Sequence, residues 1–200
     1  MSGGLEAALT ALAAGRMVVI TGDRLRGGDI DFCIAARHAD DAAINFMATH
    51  GRGLICLALT PAHAMRLGIS LINAGSERQS GRPHGRSIEA ATGVSTGISA
   101  ADRARTIAVA VDPGSSGDDL VSPGHVFPLI AAAGGIAERP AALEAAIELV
   151  RRAGAGDAAV ICSIMRDDGE MARIDDAADL IEAHGLAVVD VTELGRQSAA

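Results

Sequence analysis

Two hundred residues, 49% of them hydrophobic and 21% charged, suit one globular domain with a real apolar core. The formal net charge of −8, with no lysine and with scattered arginines, argues against a nucleic-acid surface, and 2% aromatic residues leave no base-stacking platform. Neither a basic-then-apolar leader nor an apolar run of about 18 residues is present, so a soluble, cytoplasmic chain without a membrane partner is expected.

Leu5, Ala8, Leu9 and Leu12 recur at helical spacing, and Gly15 ends that first helix. Met17–Ile20 is a short apolar strand, and Ile30–Ala36 is another. Between them hangs the polar, glycine-rich loop Thr21–Asp29. Asp40 caps a helix running to His50, Leu54–Leu59 is a buried-strand candidate, and Thr60-Pro61 opens a further helix to Leu67. Gly75–Arg86, rich in Ser, Gly, Arg and His, has no apolar period and predicts a surface loop or lid.

A helix opens at Ser99 and continues through Thr106–Val111, and Asp112–Asp119 is a loop. Val126–Ile130 and Ala158–Met165 are strands, Ala141–Ala153 and Asp175–His184 helices, and Leu186–Val191 a final strand. Strands and helices alternate without a regular βαβ repeat, which favours an α+β domain, a complex α/β arrangement with helices outside a mixed sheet. No repeat or interdomain linker divides residues 1–200. Cys33, Cys56 and Cys162 stand far apart in apolar runs and read as reduced core residues.

The stretch Thr92–Thr106 carries the strongest local signal. Two Thr-Gly pairs precede Ser99, a capping residue, with Asp102 three positions on. The exposed N–H groups of such a helix start, with Arg103 and Thr106, could hold a phosphate, and the same pattern also describes an ordinary capped helix after a glycine turn.

Thr96-Gly97-Ile98-Ser99-Ala100-Ala101-Asp102-Arg103 with Thr106, followed by Ser122-Pro123-Gly124-His125-Val126-Phe127-Pro128-Leu129, closely resembles the 3,4-dihydroxy-2-butanone-4-phosphate synthase family. Gly134-Gly135, Arg139, Glu144-Ala145-Ala146, Asp168–Arg173 and His184-Gly185-Leu186 keep the family order. The resemblance implies an α/β sandwich, a homodimer that organises the active sites, and conversion of ribulose 5-phosphate, with magnesium, to a four-carbon riboflavin precursor and formate. It implies that His125 sits at a position needed for catalysis and that Arg139 contacts substrate.

The resemblance breaks at particular residues. The family's acidic loop, Asp-x-Glu-x-Arg-Glu-Asn-Glu-Gly-Asp, here ends Asp23-Arg24-Leu25-Arg26-Gly27-Gly28-Asp29, so Leu25 stands where the family has a metal-binding Glu. In the family's Arg-x-Gly-His-Thr-Glu-Ala segment, Ala142 replaces the histidine ligand and Leu143 a substrate-contacting Thr, and Ser163 replaces a third acid. Magnesium takes oxygen ligands, and neither Leu25 nor Ala142 can ligate. Asp29 and Asp31 beside the glycine loop read as a solvated turn, so no replacement metal site with Glu144 is assigned and no cofactor is expected. Arg24 and Arg26 turn the field over the cleft towards anions.

The reading from sequence is therefore a changed reaction: metal-independent lyase, isomerase or dehydratase chemistry on a small phosphorylated or carboxylated metabolite, with activity on ribulose 5-phosphate absent or very low. His125 and Asp29 are the expected proton-transfer groups. Arg24, Arg103, Thr106, Arg139 and Glu144 are the expected substrate contacts. Two alternatives stand beside it: the conventional synthase of riboflavin biosynthesis, and a catalytically inactive binding or partner subunit.

Overall fold

The computed structural model describes residues 4–72 and 82–197. Seven strands, β1 (Val18–Asp23), β2 (Asp29–Ala35), β3 (Arg52–Leu59), β4 (Ile88–Ala90), β5 (Leu120–Ile130), β6 (Ala159–Ile164) and β7 (Ala187–Asp190), form one mixed sheet in the order β4-β5-β3-β6-β2-β1-β7. β1 pairs parallel with β7 and β3 with β5, and the other neighbours are antiparallel. The mixed sheet with outer helices is the architecture expected from the sequence.

Side chains alternate across the sheet because successive Cβ atoms point to opposite faces. Val18, Ile20, Cys33, Ala35, Cys56, Ala58 and Ile161 pack under α1 (Leu5–Ala13), α5 (Ala142–Arg152) and α7 (Val191–Gln197). Their neighbours in sequence, Val19, Phe32, Ile34, Ile55, Leu57, Val160 and Cys162, pack under α2 (Asp41–Phe46), α3 (Pro61–Arg66), α4 (Ala100–Val111) and α6 (Ala178–Ala183). The three cysteines are free and buried. No described helix is long and apolar enough to cross a membrane.

Most expected elements occur within a residue or two. β5 begins at Leu120 and not at Val126, because Leu120 and Val121 pair with Ala90 and Glu89 of β4 ahead of the register shift that takes up Ser122-Pro123-Gly124, a sequence that reads as a turn. The expected helix 40–50 becomes α2 followed by a wide turn, Met47–Gly51, and the expected helix 175–184 begins as a 3₁₀ turn, Ile174–Ala177. Three-residue β4 and C-terminal α7 have no counterpart in the sequence reading. The anticipated lid Gly75–Arg86 lies largely outside the described residues, and Arg82, which is described, points inward.

Candidate active site

β1 ends at Asp23, a carboxylate buried at the strand's C-terminal end on the α5 side. It accepts hydrogen bonds from the Leu25 backbone N–H (3.1 Å) and from the Ala142 N–H in the first turn of α5 (3.0 Å). Ala141 offers that helix no side-chain cap, so Asp23 supplies one from another strand, with its charge at the favourable helix end. The chain then turns back through Gly27 and Gly28, both at positive φ (68° and 88°), and enters β2 at Asp29.

Arg26 folds over the start of β2. Its guanidinium donates to Asp31 (2.7 Å), Asp29 (2.9 Å) and the Ser163 hydroxyl (3.1 Å). Arg82 donates to the other Asp31 oxygen at 2.6 Å, Ser163 Oγ donates to the same oxygen at 2.7 Å, and Arg173 pairs with Asp29. Asp31 and Ser163 face each other in the β2–β6 register. Burial works to raise the Asp31 pKa, but Arg82 and Arg26 outweigh it and hold the carboxyl below its ordinary value. Cys56, close by on β3, is pushed up to about 11, chiefly by burial, and is no thiolate at neutral pH.

A second polar group lies along the sheet. His125 on β5 places Nδ1 2.7 Å from Glu89 Oε2 on β4, and its backbone N–H donates to the same oxygen at 3.2 Å. The strand order puts β3 and β6 between β5 and β2. Three strand-to-strand steps separate His125 from the arginine cluster, about 14 Å at the usual spacing. One chain therefore does not bring together the two expected proton-transfer residues, His125 and Asp29.

Several expectations need correction. Asp29 and Asp31 are not a solvated turn: both are buried and bound by guanidinium groups. Thr106 is wholly buried, its hydroxyl donating to the Asp102 carbonyl and accepting from the Ala90 N–H, each at 3.0 Å, so it has nothing left for a phosphate. Ser99 caps α4 as expected, but Asp102 turns to Ser95 and Gly97 and pins the preceding loop. Glu144 is buried; Oε1 accepts from the Ala132 N–H, Oε2 has no hydrogen-bond partner among the described residues, and burial raises its pKa.

Arg139 lies 3.9 Å from Glu144, Arg24 is exposed on the loop, and Arg103 buries an Nε that has no hydrogen-bond partner among the described residues. Arg26, Arg82, Asp31 and Glu89 were not among the expected site residues. An acid inside each of the apolar runs Ile30–Ala36 and Ile88–Ala90 was the available signal, since a buried charge needs a partner.

The residues present do not fit magnesium. Leu25 and Ala142, the positions where the resemblance implies ligands, do come together, since one carboxylate binds the backbone of both, yet neither side chain has a donor atom. The adjacent acids Asp29 and Asp31 are occupied by arginine. Among the described residues no group of three or more His, Cys, Asp or Glu is placed to hold a metal ion.

Comparison with known proteins agrees across sequence and fold. The family model for 3,4-dihydroxy-2-butanone 4-phosphate synthase matches residues 6–197. The protein of that name from Pseudomonas syringae pv. tomato is 45% identical over 180 residues, covering 90% of this chain and 49% of the relative. That from Ralstonia nicotianae is 41% identical over 192 residues, 96% of this chain and 85% of the relative. The chain thus spans about half the length of several relatives it matches. Among solved structures, a synthase in complex with two magnesium ions superposes with a TM-score of 0.90 at 31% identity, covering 96% of this chain and 94% of the other. The two-domain synthase RibBX from A. baumannii gives 0.89 at 39% identity, covering 96% and 56%.

Proposed function

The chain belongs to the 3,4-dihydroxy-2-butanone 4-phosphate synthase family, and from that premise we propose that it converts ribulose 5-phosphate to 3,4-dihydroxy-2-butanone 4-phosphate with release of formate. The changed lyase, isomerase or dehydratase reaction expected from the sequence is corrected: relatives 41–45% identical over at least nine-tenths of the chain bear the synthase name. The observation that carries the proposal is the match over residues 6–197, which spans both the arginine cluster and the Glu89–His125 pair.

In this reading the substrate phosphate meets Arg24 on the exposed loop after β1 and Arg139 beside α5. Arg26 and Arg82 stay on Asp31 and shape the wall. His125 exchanges the proton on carbon next to the ketose carbonyl, the step that opens such a sugar to rearrangement. The separation of His125 from the cluster within one chain is met by a second copy, whose His125 reaches the first copy's arginines. No step is drawn through a metal, because the donor set does not fit one.

The donor set favours a second reading, a subunit that binds the sugar phosphate without turning it over. Incubation of purified protein with ribulose 5-phosphate, with formate measured enzymatically, separates the two. The synthase reading expects formate above a heat-inactivated control, and a loss of about 10²–10⁴-fold on His125→Ala. Folded protein that binds the sugar phosphate and yields no formate overturns it in favour of the second.

A further inference from the structure

We propose that Arg26 and Arg82 form an oxyanion subsite: the N–H donors they do not spend on Asp31 bind the carbonyl-end oxygens of the sugar phosphate and stabilise the negative charge that grows there. The inference deepens the synthase reading and rests on it for the identity of the ligand.

The placement follows from the pleat. Cys33 and Ala35 pack under α5, so Asp31, which alternates with them along β2, lies on that same face of the sheet, and Cys56 of β3 lies there too. Arg26 Nη1 and Arg82 Nη2 bind the two oxygens of this one carboxylate at 2.7 and 2.6 Å, which holds two cations side by side. Arg26 directly follows Leu25, and its Nη2 reaches the Ser163 hydroxyl. Leu25 and Ser163 are two of the positions at which the family resemblance implies acids, the first of them a metal ligand. Fixed guanidinium groups therefore stand beside the place where the resemblance implies a bound cation.

The alternative is an ion cluster that only supports the fold. Such a cluster would close on itself, and this one does not. Three guanidinium groups, those of Arg26, Arg82 and Arg173, meet two carboxylates, Asp29 and Asp31. Asp23, whose charge also reaches Arg82, is committed to the backbone N–H groups of Leu25 and Ala142. A guanidinium carries five N–H donors. Arg26 spends three of them, on Asp31, Asp29 and Ser163, and Arg82 spends one on Asp31 and lies beside the weakly accepting Cys56 thiol. Among the described residues the buried polar atoms without a hydrogen-bond partner belong to Glu89, Arg103 and Glu144, so the spare donors of Arg26 and Arg82 reach solvent.

Both side chains are nonetheless close to buried, 13% and 12% exposed, and a donor in such a setting is worth more to an anion than one in open water. Asp31 holds both guanidinium groups, and Ser163 helps to hold Arg26, before any ligand arrives, so little reorganisation is needed when charge develops. When the proton on the carbon next to the ketose carbonyl leaves for a base, the C–H electron pair forms a C=C bond and the carbonyl π pair moves onto oxygen. That enediolate oxygen is the anion the spare donors suit.

The test compares two probes by calorimetry: a four-carbon phosphorylated hydroxamate, which mimics the enediolate and keeps the phosphate, and ribitol 5-phosphate, which keeps the phosphate and has no carbonyl. Wild-type protein should bind the hydroxamate at least about tenfold more tightly. Arg26→Met and Arg82→Met should each weaken the hydroxamate at least about tenfold and leave the polyol phosphate within about threefold. Arg26→Lys, whose ammonium can stay on Asp31 but lacks the planar fork, should lose the same preference. Equal wild-type affinity for the two probes, no binding of either, or an equal loss of both in a folded Arg26→Met protein overturns the proposal, the last being the mark of a phosphate contact or of a structural role. Should the methionine variants fail to fold, Arg26→Lys and the wild-type comparison decide. A retained preference without formate release would strike the synthase reading and leave the subsite standing, and formate release without any preference would do the reverse.

Discussion

At Asp31 a full negative charge leaves water and meets two guanidinium groups and a hydroxyl. Such an ion pair adds little over an apolar core, but breaking one costs about 3–5 kcal/mol, since the remaining charges stay buried and unpaired. Asp31→Asn should lower the unfolding free energy by an amount in that range, read from the urea midpoint. The pH dependence has a definite sign. The folded pKa lies below the ordinary 3.8, so the unfolded chain takes up this proton first as pH falls. The contribution is complete above the ordinary value and is lost as pH drops through the folded one. Urea midpoints measured from neutral pH into acid should therefore converge for the two proteins below about pH 4; parallel curves throughout would show that Asp31 carries no such linkage.

Between residue and fold, the loop 24–28 and the first turn of α5 act as one unit because Asp23 holds the backbone of both. The geometry that would join two metal ligands is retained, and the side chains at the two positions, Leu25 and Ala142, are apolar. A ligand that binds only the folded state adds about 2.7 kcal/mol at a hundredfold excess over its Kd. Magnesium at millimolar concentration, or its removal by chelator, should leave the melting temperature of this protein unchanged. The double variant Leu25→Glu with Ala142→His should gain a magnesium-dependent rise. A rise in the unaltered protein would mean that other groups hold the ion.

For the whole molecule, three of the exposed apolar side chains lie near the Glu89–His125 pair. Leu54, Ile98 and Val121 are about half exposed. Leu54 stands level with His125 in the β3–β5 register, Val121 faces Glu89, and Ile98 follows the Gly97 that covers it. We propose this apolar rim around a half-exposed histidine as a surface for a second copy, and a twofold arrangement would offer each copy's His125 to its partner. Light scattering at micromolar concentration should give twice the mass of one chain. A monomer would count against the dimer and against any site shared between copies.

The sequence by itself determined the alternating apolar strands, the capped helices around a mixed sheet, the family and the buried thiols, because hydrophobic period, capping and turn chemistry are local properties. What it misjudged required strand order. Asp29 and Asp31 look like a wet turn until β6 brings Ser163 alongside and Arg26 folds back over them. Thr106 looks available until β4 takes its hydroxyl. Glu89 gains its meaning only from the bulge and the close approach of Gly124, and His125 and Asp29 are adjacent in motif logic but separated by two strands in one chain. Partners across a sheet are chosen by pairing and burial at long sequence separation, so which charges meet was decided by the tertiary structure alone.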